Sequence, residues 1–248
     1  MRRLFLAVMA VASLIGAPRR AEAGILLTVE APEVQASSVP GVLTESFGAL
    51  APGVWSSYFS AIGEYSGRFA AVPPDAYGGA ERSLYFSVGI QSQSIEARLD
   101  LGTARAYFGF LWCAGDGLNQ LDFYDNATLI QSFRTADVIA ALGRFPNRSD
   151  YYGNPNNGEN RSEPYAYLNF FARDGTVFDA IVFRNDNQAT GFESDNHSVR
   201  TEPVLEITGT PVSVPEPASE RILIVGALGS AALLARFRAR CLNRSSAD

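Results

Sequence analysis

Between residues 24 and 213, apolar side chains recur mostly at every second position. Ile95, Ala97, Leu99 and Leu101 alternate with Glu96, Arg98 and Asp100, and Leu84, Phe86, Val88 and Ile90 are spaced in the same way. That period predicts strands with one buried face. Residues 107–112 are apolar throughout, which predicts a strand covered on both faces. Residues 121–123 and 129–133 flank Asp125-Asn126, a hairpin-turn signal. Further strands are predicted over 25–29, 42–47, 165–171, 177–183 and 204–208, with one short helix over 136–142. Roughly nine or ten short strands separated by Gly, Asn and Asp predict an all-β fold, a β-sandwich of jelly-roll-like form. Residues 144–164 break the pattern, with five Asn and the pair Tyr151-Tyr152. A loop that long is either a mobile insertion or a ligand-contacting segment with an aromatic platform.

The two ends follow other rules. Arg2 and Arg3 precede a mostly apolar run from Leu4 to Ala17, and Ala21-Glu22-Ala23 puts small residues where signal peptidase reads them. Residues 1–23 are expected to be a signal peptide cleaved before Gly24. Arg2-Arg3-Leu4-Phe5-Leu6 also follows a twin-arginine order, so Sec and Tat export both stay open. At the other end, Pro215-Glu216-Pro217 precedes an uncharged apolar run over 222–235, and Arg236, Arg238, Arg240 and Arg244 follow it. Such a run spans about 21 Å as a helix, against a hydrocarbon core of about 30 Å. Snorkelling Arg221 and Arg236 would bridge the difference. A C-terminal transmembrane helix is expected, with its tail cytoplasmic and the body outside. The chain thus divides into 1–23, a body over 24–213, and a terminal segment over 214–248.

Removing the ends changes the charge. The whole chain carries −6, but residues 24–217 hold 23 Asp or Glu against 11 Arg, a net of −12. An acidic body argues against a nucleic-acid partner, which needs clustered positive charge. All 20 basic residues are Arg, so lysine chemistry is excluded. His197 is the one histidine, which excludes multi-histidine metal sites and two-histidine schemes. Cys113 and Cys241 lie on opposite sides of the apolar run, so no disulfide framework or zinc cluster is expected. Cys113 reads as a small buried hydrophobe or as a reactive thiol.

Pro215, Glu216 and Pro217, an apolar segment, and then Arg236, Arg238 and Arg240 together resemble the PEP-CTERM sorting signal of Gram-negative bacteria. The resemblance implies export across the inner membrane by way of signal peptidase and transient anchoring by 222–235. An exosortase would then process the chain for the cell surface or extracellular matrix, as a GPI signal is processed by removal of its tail. The chain departs from many members of that family in carrying eight more residues, 241–248, after the arginines. Phe108-Gly109-Phe110-Leu111-Trp112, then Asp116, Asn119, Leu121 and Phe123-Tyr124, resembles a block found in one group of exosortase-dependent surface proteins. Phe192-Glu193-Ser194-Asp195-Asn196 resembles that group's second block. What these imply is an extracellular sandwich domain held in a polysaccharide layer, without an assigned activity.

Two kinds of site are candidates within the body. Glu193, Asp195 and Asn196 place three oxygen-bearing side chains within four residues, a donor set suited to calcium, and Asp116, Asn119 and Asp122 form a second such group. Either group reads first as an acidic solvated turn, with calcium binding the alternative. Tyr151, Tyr152 and Trp55 are candidates for stacking on the sugar rings of an extracellular polysaccharide, as in a carbohydrate-binding module. Catalysis is not expected: no serine sits in a nucleophile elbow, and carboxylate pairs carry little weight among so many acids.

Overall fold

The computed structural model describes residues 24–213. Thirteen strands and one helix follow in chain order: β1 (Ile25–Val29), β2 (Leu43–Glu45), β3 (Gly53–Phe59), β4 (Glu64–Val72), β5 (Tyr85–Gly89), β6 (Glu96–Arg105), β7 (Tyr107–Cys113), β8 (Asn119–Asp125), β9 (Thr128–Arg134), α1 (Thr135–Leu142), β10 (Ala166–Ala172), β11 (Phe178–Asn185), β12 (Gly191–Arg200) and β13 (Thr210–Pro211). All pairings are antiparallel. They join the strands into one sheet in the order β13-β1-β10-β7-β12-β5-β4-β6-β11-β8-β9, with β2 on β12 and β3 on β4.

The sheet curls until its two halves face each other. Phe170 of β10 lies 5.0 Å from Phe123 of β8 and 4.9 Å from Phe133 of β9, while Phe86 of β5 lies 5.0 Å from Phe183 of β11. The ends of the sheet approach as well, since the Ile25 amide donates to Gln131 Oε1 of β9 at 2.8 Å. Strand β7 is buried at every position. Phe108, Phe110 and Trp112 enter the main core, and Leu111 and Cys113 enter a second apolar cluster on the outer face. This is the two-sided strand that the continuous apolar run predicts.

Other expectations need adjustment. The β8–β9 turn uses Asn126 and Ala127, both at positive φ, one residue beyond the signal in the sequence. The predicted strand over 204–208 does not form: Leu205 is 95 % exposed, and only Thr210–Pro211 pairs, with β1. The β3–β4 hairpin has no counterpart in the predicted set. A register shift between Trp55 and Ser57 breaks its alternation, so its inward aromatics Trp55 and Tyr58 stand three apart. Helix α1 forms as expected, tied to β8 by the Thr135 hydroxyl, which accepts from the Asn119 amide and donates to its carbonyl. Among the described residues no helix is long and apolar enough to cross a membrane. The expected transmembrane run 222–235, the signal peptide 1–23 and the motif residues Pro215, Glu216, Pro217, Arg236, Arg238 and Arg240 all lie outside the described residues.

Candidate functional site

Strand β12 concentrates the polar chemistry of the body. Its register against β7 shifts between Asp195 and Ser198, where one extra residue is inserted and Asn196 takes φ 49°. A one-residue bulge changes which face each later side chain meets. Phe192 and Ser194 point into the core before it, and His197 and Val199 after it. Glu193 and Asp195 therefore share the outer face, beside Cys113 and Leu111 of β7.

Two loops cover that face. The stretch 74–83 and the Asn-rich loop 144–164 are joined by side-chain amides. Asn154 and Asn157 donate to the Asp75 carbonyl, Asn156 donates to the Gly79 carbonyl at 2.8 Å, and the Tyr165 hydroxyl donates to the Ala76 carbonyl. The asparagines that suggest a mobile insertion are what fasten the loop down. Cys113 is buried beneath this cover, and burial, then the nearby Asp195 and Glu193 carboxylates, push its thiol well above the usual range. That environment suits an inert thiol.

The two outer carboxylates have different surroundings. Asp195 is fully buried, and three donors reach it at 2.7 Å: the Ala80 amide and Ser83 hydroxyl on Oδ2, and the Asn196 amide on Oδ1. Its carboxyl still rises to about 7, because burial outweighs those bonds. Glu193 is 5 % exposed, and its one side-chain donor is Gln91 Nε2, at 3.3 Å from Oε1. The Ser87 hydroxyl donates to Gln91 Oε1 at 2.8 Å and so turns the amide nitrogen toward Glu193. The Glu193 backbone amide also donates to its own carboxylate. The carboxylate lies over Gly191, where a Cβ would stand 1.6 Å from Oε1 and would push the Glu193 carboxylate aside. Beyond it opens a cavity of about 310 Å³, bordered by Tyr77, Ile90, Gln91, Asp116, Glu163 and Thr190 among others. Burial first, then the charges of Asp116 and Glu163, raise the Glu193 carboxyl to about 8.

The calcium sets expected from sequence do not converge. Asp195 is occupied by its own donors, Asn196 Nδ2 donates to the Gln35 carbonyl, and Glu193 faces the cavity. Asp116 Oδ1 accepts from the Leu118 amide, whereas the buried Asp122 pairs with Arg184 Nε at 2.7 Å. Asn119 Nδ2 donates to the Gly191 carbonyl. Asn119 and Asp122 are three apart on one strand and so lie on opposite faces. Among the described residues no group of three or more His, Cys, Asp or Glu is placed to hold a metal ion.

The aromatic platform also fails to form. Tyr151 is 3 % exposed and donates to the Glu30 carbonyl at 2.9 Å. Tyr152 is half-buried against the core, and Trp55 is half-buried on β3 with its indole N–H on the Ala51 carbonyl. Large aromatics exposed on the body are instead Phe59 and Tyr77. His197 sits in the core, with Nδ1 2.9 Å from the Tyr65 hydroxyl and Nε2 2.9 Å from Ser194 Oγ, stacked on Phe183. Burial lowers it to about 3, and all three polar groups are closed to a substrate. Sequence reading names Asp116 and Glu193 but misses Gln91, Glu163 and Tyr77, which arrive from three separate loops. Compared with family models, curated proteins and solved structures, the chain matches none.

Proposed function

We propose that this chain is an exported, exosortase-sorted protein of the cell surface or extracellular matrix, without catalytic activity. Its body is a jelly-roll sandwich. Supporting the jelly roll, the runs β5-β12-β7-β10 and β6-β11-β8-β9 of the sheet order face each other. Every connection from β5 to β12 crosses between these runs except the β8–β9 hairpin.

The observation that supports the sorting reading is that the first and last described strands, β1 and β13, pair with each other. Ile25 opens β1 two residues after Ala23, and Val212, three residues before Pro215, is the last core residue among those described. The Val212 amide donates to the Leu27 carbonyl at 2.9 Å, and β13 pairs with β1. Gly24 and Ser213, where the expected processing segments attach, therefore lie at one edge of the sheet. The proposal is tested by replacing Pro215 and Pro217 with Ala in a host that encodes an exosortase. Unprocessed chain should accumulate in the membrane fraction, with little in the medium or surface layer. An unchanged distribution would contradict the sorting reading.

A further inference from the structure

We propose that strand β3 is the interface through which two copies of this chain pair, edge to edge and antiparallel, about a two-fold axis between Ser56 and Ser57.

A strand at the edge of a sheet leaves a row of backbone N–H and C=O groups unpaired, and another strand is what matches their spacing. Four strands have a single partner strand among the described residues: β2, β3, β9 and β13. Three of them are guarded. Strand β2 is three residues long and ends in Glu45, and β13 is two residues long and contains Pro211. Strand β9 ends in Arg134 and is met by β1, whose Ile25 amide donates to Gln131 Oε1. Strand β3 runs for seven residues with neither a charged residue nor a proline. The register shift against β4 does not guard it either. Between Trp55 and Ser57 the strand advances two residues while β4 advances three, from Phe69 to Ser66, so the extra residue belongs to β4. The edge also carries apolar surface, with Phe59 74 % exposed and Val54 49 %.

The occupant is a second copy because the strand is complementary to itself. From Val54 to Phe59 the order is exposed, half-buried, exposed, exposed, half-buried, exposed, the same in both directions. An axis between Ser56 and Ser57 sets Val54 opposite the partner's Phe59 and Trp55 opposite the partner's Tyr58. One pair is aromatic with β-branched and the other aromatic with aromatic, both combinations that stabilise neighbouring strands. Each copy uses the same patch, so the assembly closes as a dimer. Pairing is independent of how the chain is sorted. The bodies themselves repel, since residues 24–217 carry a net −12. Salt screens that repulsion and leaves the uncharged edge untouched, so the dimer should tighten as salt rises, opposite to an interface held by ion pairs.

The test uses the purified full-length chain in non-ionic detergent, with Cys241 replaced by Ser. Sedimentation should show a dimer whose fraction rises between about 0.05 and about 0.5 M sodium chloride. Val54→Lys and Phe59→Lys, both at exposed positions, should each weaken association at least tenfold with the melting temperature unchanged. Mixing Val54→Cys chain with Phe59→Cys chain, with diamide as oxidant, should give a disulfide dimer in at least tenfold higher yield than either variant alone. A monomer at about 100 µM would overturn the proposal. So would a dimer that survives both lysine variants, a dimer that weakens with salt, or cross-linking no greater in the mixture than in the separate variants.

Discussion

Glu193, Asp195 and His197 occupy alternate positions of one strand, all buried, and burial moves each toward its neutral form. The consequence is a pH profile for stability. An acid whose pKa is raised in the folded state contributes stability that is complete below its unfolded pKa and lost as pH rises through the folded value. For Asp195 that loss runs from about 4 to about 7, and for Glu193 from about 4.5 to about 8. His197 is depressed to about 3, so its contribution is complete above about 6.5 and lost toward acid. Between pH 6.5 and 8 the two carboxyls weaken the fold, Asp195 up to about 7 and Glu193 up to about 8. The melting temperature should fall across that window, and E193Q should remove one proton's share of the slope, about 1.4 kcal/mol per pH unit. Thermal melts at half-unit steps check this; a wild-type melting temperature that rises or stays level from 6.5 to 8 would count against it.

Strand β12 shows why one inserted residue matters to an element. Asn196 at φ 49° lets Ser194 and His197, three apart, both face inward. Deleting Asn196 should put His197, Val199 and every later residue on the wrong face, and the chain should fail to fold, as read by loss of the cooperative melt. Asn196→Gly keeps the left-handed backbone and loses chiefly the bond to the Gln35 carbonyl, a cost of about 1 kcal/mol. Asn196→Val should cost about 1–3 kcal/mol more, because a β-branched residue is strained there. The same strand marks the limit of legibility. Apolar runs and clean alternation revealed β5, β6, β7 and β11, where packing alone decides the residue. Strand β12 reads as a polar turn because its inward face carries Ser194 and His197 and its period is broken. The cavity was still less visible, since Gln91, Tyr77 and Glu163 meet only after three loops pack together. No spacing within the chain encodes that meeting.

At the scale of the molecule, one curled sheet holds both ends of the body on the same edge. Thr28 donates to the Thr208 carbonyl at 2.6 Å, and the buried Val212 closes the core beside β1. A chain ending at 209 should therefore be less stable than one ending at 213 by about 1–3 kcal/mol, from the lost burial of Val212 and the β13 pairing. Chemical denaturation of the two fragments measures the difference, and equal midpoints would show that β13 does not support the fold. The same edge bears on sorting, because a cut before Val212 would cost the body that stability whereas a cut after it would not. Intact-mass analysis of protein recovered from exosortase-positive cells tests the sorting account most directly. The account predicts a chain that begins at Gly24, retains Val212 and lacks residues 222–248. A recovered chain that still carries Arg236, Arg238 and Arg240, or that begins at Met1, would contradict it.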